Sequence, residues 1–195
     1  MSTLQIKPRN DTDQLKIQTS GGNTAFFVHG SGATLKNSTI ENNTIENTNT
    51  FPAGHVIQVT FGFTSTEVGS TNNTYKDTGL TATMTPSSTS SKIAIFMAVN
   101  GIQKETNNAY LDLKAVYNVA GGSFIDIAQF GARLGMTNDS SKNNVGGCTL
   151  NYLLSPNTTS EVIIKAQFRS AANNSGVGVQ EASSTSTLML MEIAG

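Results

Sequence analysis

Two histidines and one cysteine are the side chains in this chain best suited to chemistry. A metal site needs two to four ligands in register. Neither His29 nor His55 has a Cys, Asp, Glu or second His at ligand spacing. No metal is therefore expected, and only a three-fold axis gathering three copies of one His would change that. Cys148 sits among Gly146, Gly147, Thr149 and Leu150 at the start of an apolar run. That setting suits a small buried hydrophobe. No neighbouring base would activate the thiol, and a lone thiol makes no intrachain disulfide.

Other routes to catalysis are equally thin. No serine lies in a G-x-S-x-G elbow. Cleavage of a glycan needs two carboxyl groups facing one groove. Asp126 is the acid that stands inside an apolar strand, and it reads as a turn or outward-facing residue. Gly121-Gly122 and Gly146-Gly147 are turn glycines, because no helix follows either pair to cradle a phosphate. The expectation is a protein without enzymatic activity and without a cofactor.

Binding is what remains. Polar loops carrying Asn and Tyr suit sugar hydroxyls, through amide hydrogen bonds and aromatic stacking. Four loops qualify: Gly69–Tyr75, Lys104–Tyr110, Met136–Asn144 and Ala171–Gly176. Tyr75 with Asn72 and Asn73, and Tyr110 with Asn107 and Asn108, are the candidate host or glycan contacts. An aromatic beside Asn-Asn is otherwise an odd use of apolar area.

The elements that must position these loops are strands. Charged residues make up only 13% of 195, with a net charge of −1, so nothing favours nucleic acid or an anionic membrane. About a third of the chain is Asn, Ser or Thr, residues that favour turns and strands over helix interiors. Strand-like runs recur at turn-separated intervals from His55 onward. Val56–Phe63 places Ile57, Val59, Phe61 and Phe63 on one face. Lys92–Val99 is almost wholly apolar, so both of its faces should be covered. Ala109–Tyr117 turns Leu111, Leu113, Ala115 and Tyr117 inward and leaves Asp112 and Lys114 to solvent. Glu161–Phe168 buries Val162, Ile164, Ala166 and Phe168. Eight or nine strands without a convincing amphipathic helix predict an all-β, jelly-roll-like β-sandwich. In the last strand Leu188 and Leu190 share one face and Met189, Met191 and Ile193 the other. Either a three-fold axis between subunits or a loop of the same chain must cover that second face.

The front of the chain differs. Leu15–Gln18 and Thr24–Val28 read as short strands of an arm, with Phe26, Phe27 and Val28 as a candidate virion anchor. Leu35, Ile40 and Ile45 then recur every five positions among polar residues, a period matching neither a helix face nor a flat strand. Three chains wound about one axis would bury that row; a solvated Asn/Thr-rich linker is the alternative. Phe51-Pro52-Ala53-Gly54 marks a boundary. The division is an arm at 1–32, a short β-rich shaft at 33–54 and a knob at 55–195. Met1-Ser2-Thr3-Leu4 begins no positive-then-apolar pattern, so neither a secretory signal nor a membrane span is expected. The N-x-S/T triplets at Asn37, Asn42, Asn72, Asn138, Asn157 and Asn173 are then chance products of composition.

Three segments carry a resemblance: Thr50–Val59, Asp77–Ile93 (DTGLTATMTPSSTSSKI) and Ser184–Gly195 (STSTLMLMEIAG). They are similar to the C-terminal domains of tail-fibre-like and other virion surface proteins of tailed phages, especially marine ones. The resemblance covers residues 50–195. It implies a homotrimer, with Leu35, Ile40, Ile45, Met189, Met191 and Ile193 as candidate contacts between chains. It also implies attachment to other virion proteins through the N-terminal region. The knob would meet host surface polysaccharide or a receptor, on a protein made in the host cytoplasm and displayed on the virion surface. No activity is implied. The chain is short for a long fibre, which keeps a capsid decoration (cement) protein as the alternative.

Overall fold

The computed structural model describes residues 51–172 and 175–195. The expectations placed on Phe26–Val28, His29, Leu35, Ile40 and Ile45 lie outside those residues. Ten strands run β1 (Val56–Thr64), β2 (Val68–Ser70), β3 (Lys76–Met84), β4 (Lys92–Lys104), β5 (Leu111–Val119), β6 (Ile125–Leu134), β7 (Asn143–Leu154), β8 (Val162–Ser170), β9 (Val177–Val179) and β10 (Ser186–Ile193). The only helical turn among the described residues is a short 3-10 segment at Glu181–Ser183.

The long strands pair antiparallel and nested: β1 with β10, β3 with β8, β4 with β7, and β5 with β6. One sheet is β1-β10-β4-β7, extended beside β4 by the short β9 and β2. The other is β3-β8-β5-β6. A long antiparallel ribbon rolled up into two facing sheets is the jelly roll, so the expected all-β sandwich is the fold.

Strict alternation fills the core. Ile93, Ile95, Met97 and Val99 of β4 face Leu111, Leu113, Ile164 and Phe168 of the second sheet, and all are buried. Leu188 and Leu190, which share one face of β10, join them. Lys92–Val99, however, is not covered on both faces: Phe96 stays exposed, with Ala94 and Ala98 half-buried around it.

β1 is turned opposite to a core strand. Its core-facing positions are Thr60, Gly62 and Thr64, while Val59, Phe61 and Phe63 point to solvent. Gly62 gives the reason. A Cβ built there would overlap the carbonyl oxygen of Thr81 in β3, so the two backbones approach too closely for the phenylalanines to face inward. The register shift between Val56 and Gln58 takes Ile57 out of phase with Val59.

At one pole of the roll β1 begins and β10 ends. The Gly54 N–H donates to the Ala194 carbonyl and the Ala194 N–H to the His55 carbonyl, both at 2.8 Å. Here lies Glu192, fully buried and pointing inward. Its Oε1 accepts from the Ser87 N–H (2.7 Å) and Ser87 Oγ (2.6 Å), and its Oε2 from Gln58 Nε2 (2.6 Å). Gln58 Nε2 also reaches the Thr85 carbonyl at 2.7 Å. Burial pushes the carboxyl pKa up, but hydrogen bonds from Ser87, Ser91 and Gln58 outweigh it and hold the group below its ordinary value. Gln58, Ser87 and Glu192 come one from each of the three segments on which the sequence resemblance rests.

Two outcomes follow for stability. Because the folded carboxyl titrates below its unfolded value, Glu192 stabilises the roll above the ordinary glutamate range, and this is lost as pH falls through the folded pKa. Glu192→Gln should cost about 2 kcal/mol near neutrality and flatten the acid limb of a urea-midpoint-versus-pH curve; an unchanged limb would contradict the role given to this carboxylate. Gly62→Ala should cost about 1–3 kcal/mol through overpacking against β3, read as a lower urea midpoint at unchanged slope.

Candidate functional site

The four polar loops converge on the pole opposite Glu192. The Ser170 N–H donates to the Asn72 carbonyl (3.0 Å), the Ala171 N–H to Tyr110 (3.1 Å), the Asn108 N–H to Thr137 (2.9 Å) and the Glu105 N–H to Gly176 (3.0 Å). Segments that are distant in sequence are thus tied into one cluster by their backbones. Asn72, Asn73, Asn107 and Asn108 are exposed there, with Tyr75 and Tyr110 half-buried at the beginnings of β3 and β5.

Lys104, expected at the start of a loop, is fully buried at the end of β4. Its Nζ donates to the Thr106 carbonyl at 3.3 Å and to the Asp139 carbonyl. An ammonium in that position spans the β4–β5 and β6–β7 loops. The Asp139 carboxylate accepts from the Ser141 N–H (2.8 Å) and Asn143 Nδ2 (2.7 Å). These bonds hold its pKa down to about 2.

Beside the loop cluster lies the outer face of β3-β8-β5-β6, where charge and aromatic rings alternate. Tyr75 is flanked by Lys114 Nζ, 4.4 Å from its ring centroid, and by the Arg169 guanidinium at 4.9 Å. Arg169 donates from Nε (3.2 Å) and Nη2 (2.9 Å) to Asp112 Oδ2, and this pairing raises its pKa further. Asp112, expected to face solvent, is buried under Arg169, and its Oδ1 accepts from the Arg133 N–H at 3.1 Å. Burial pushes the Tyr75 phenol up. The Arg133 guanidinium lies 5.9 Å from the Tyr110 ring centroid. Both candidate tyrosines therefore belong to one patch, Tyr75–Arg169–Asp112–Arg133–Tyr110.

Further along the same face is an open hollow of about 270 Å³, lined by Leu80, Phe124, Ile163 and Lys165 among others. Lys165 Nζ sits 3.7 Å from the Phe124 ring centroid and 2.6 Å from Asp77 Oδ2. Burial pushes the Asp77 carboxyl up, but Lys165 and Gln167 outweigh it and hold the group below its ordinary value. Asp126 does face outward, paired with Lys114 at 2.6 Å.

The opposite outer face, that of β1-β10-β4-β7, has another character. Register places Val59, Met191, Ala94 and Leu153 in one row across the sheet, then Phe61, Met189, Phe96 and Asn151, then Phe63, Thr187, Ala98 and Thr149. No charged side chain stands in these rows. Met189, Met191 and Ile193 are half-exposed on this face, with no loop of the described chain folded over them.

The remaining candidates are unremarkable. Cys148 is half-buried and its thiol donates to the Phe130 carbonyl at 3.0 Å; burial raises its pKa. His55 is exposed, 6.1 Å from the Phe51 ring. Among the described residues no three His, Cys, Asp or Glu side chains gather as a metal cluster requires. Lys104, Asp112, Arg133 and Arg169 escaped sequence reading, since their meaning lies in partners on other strands.

The loop clasp is testable. Lys104→Met should leave the Thr106 and Asp139 carbonyls without their shared donor, cost about 1–3 kcal/mol, and raise amide hydrogen exchange over residues 136–143 more than in the core strands.

No protein family's sequence profile and no characterised protein sequence matches the chain. Among solved structures it is similar to VP2 of infectious bursal disease virus. The crystal structure of the VP2 subviral particle superposes with a TM-score of 0.46 at 10% identity, over 72% of this chain and 34% of that one. The structure of the Gx strain gives a TM-score of 0.46 at 12% identity, over 80% and 37%. The chain thus spans little more than a third of the length of either.

Proposed function

We propose that this chain is a phage virion structural protein: a short homotrimeric fibre whose jelly roll is displayed on the particle surface and contacts the host. One observation carries the reading, namely the apolar rows on the outer face of β1-β10-β4-β7, where Lys92 beside Ile193 is a charge at the edge. Val59, Phe61, Phe63, Phe96 and Leu153 are 51%, 60%, 70%, 42% and 52% exposed. Side chains of these sizes at those fractions leave about 600 Å² of apolar surface in water, close to the share of one partner in a standard protein interface. Removing it from water is the driving force an interface between copies would use. Three consecutive rows without charge are complementary to themselves, so the occupant that fits them is a sister copy. Three-fold order is chosen because three chains wound about one axis would bury the Leu35, Ile40 and Ile45 row. The resemblance of three segments to phage surface proteins supports a virion as the setting. A capsid decoration protein would use the same face between copies, but its roll would lie on the head lattice instead of meeting the host.

Equilibrium sedimentation should give three chains per particle. The pair Phe61→Ser and Phe63→Ser should release monomers with an unchanged far-ultraviolet spectrum. A wild-type monomer at micromolar concentration would overturn the assembly. Antibody labelling of intact virions should decorate fibre tips; labelling repeated over the head would favour decoration, and purified virions lacking the chain would refute both.

A further inference from the structure

Resting on the host-contact reading, the geometry points to an acidic saccharide as the ligand class, held by Arg133 with Tyr110 and Tyr75 as stacking platforms. The inference comes from matching charges on the outer face of β3-β8-β5-β6. Each carboxylate there has its cation: Asp112 takes Arg169, Asp126 takes Lys114 and Asp77 takes Lys165, at 2.9, 2.6 and 2.6 Å. Arg133 is the cation left over. Among the described residues its guanidinium meets no carboxylate, and it lies exposed beside Tyr110.

The backbone aims it there. Arg133 has φ 55, a left-handed conformation that strains a non-glycine residue. It is pinned by its N–H bond to Asp112 Oδ1, where β5 and β6 slip in register. Bulges of this kind re-aim a side chain. An arginine fork suits a planar carboxylate and holds it through two parallel hydrogen bonds.

The platforms fit a sugar. Tyr75 and Tyr110 flank Arg169 from β3 and β5, strands separated only by β8. Two strand spacings are about 10 Å, near the length of a disaccharide. The exposed amides of Asn72, Asn73, Asn107 and Asn108 border the rings and supply donors and acceptors for hydroxyls. This patch and the apolar face lie on opposite sides of the sandwich, so trimer contact and sugar contact do not compete.

An array of uronate- and sialate-bearing oligosaccharides, printed beside their methyl esters, tests the inference with the full chain. The acids should bind at least tenfold more tightly than the esters, and the difference should shrink with added salt. Arg133→Gln should abolish the discrimination while keeping the fold, and Tyr110→Ala should weaken acid and ester alike. Equal binding of acid and ester would overturn the anionic class and leave sugar binding standing. Binding of poly-glutamate as tight as that of the acids would overturn the saccharide. A chain that blocks phage adsorption yet binds no acid on the array would overturn this inference and spare the host-contact reading. A chain that neither binds nor blocks would overturn both.

Discussion

A single buried carboxylate closes this roll. Glu192 sits inside the sandwich, where an unpaired charge would be prohibitively costly. It is tolerated because Ser87 and Gln58 converge on it from the β3–β4 turn and from β1. Those bonds fix three things at once: the register of the first strand against the last, the path of the chain between the two sheets, and the approach of β1 to β3. Once β1 lies that close, only glycine fits at position 62 and the phenylalanines on either side must look outward. The apolar outer face, and with it the case for assembly, is a downstream effect of how that pole is locked.

Much of the fold was legible because alternation is a local signal. β5 and β8 announce themselves by period-two patterns, and each turns inward the face its residues predict, whereas β4 and β10 are nearly continuous apolar runs whose pattern leaves the inner face open. Alternation says which residues share a face but not which face is inside. For β1 that choice rests on Gly62 and Thr81, a contact no periodicity contains. The three-residue β2 was missed because Val68-Gly69-Ser70 holds one apolar side chain and gains its strand character only by pairing with β9.

The candidate site was legible in the same uneven way. Tyr75 and Tyr110 stood out as aromatics beside paired asparagines, and the nested strand order brings their loops to one pole. Arg133 could not stand out. Its importance is a remainder, visible only after each neighbouring cation has found its acid. Lys104 and Asp112 read as surface residues from composition alone. They are buried because backbone carbonyls in one case, and Arg169 with an amide in the other, replace the water they give up.

The two ends of the sandwich are unlike, and that has a mechanical meaning. Phe51 to His55 and the final residues lie side by side at the Glu192 pole, while the four polar loops gather at the other, a 13-residue strand away. At about 3.3 Å per residue that strand is a spar some 40 Å long. Any pull transmitted through the polypeptide before Phe51 loads β1 directly against β10. A ligand gripped at the far tip would therefore place the β1–β10 ladder in shear, the geometry in which all its cross-strand bonds share the force and none is unzipped alone.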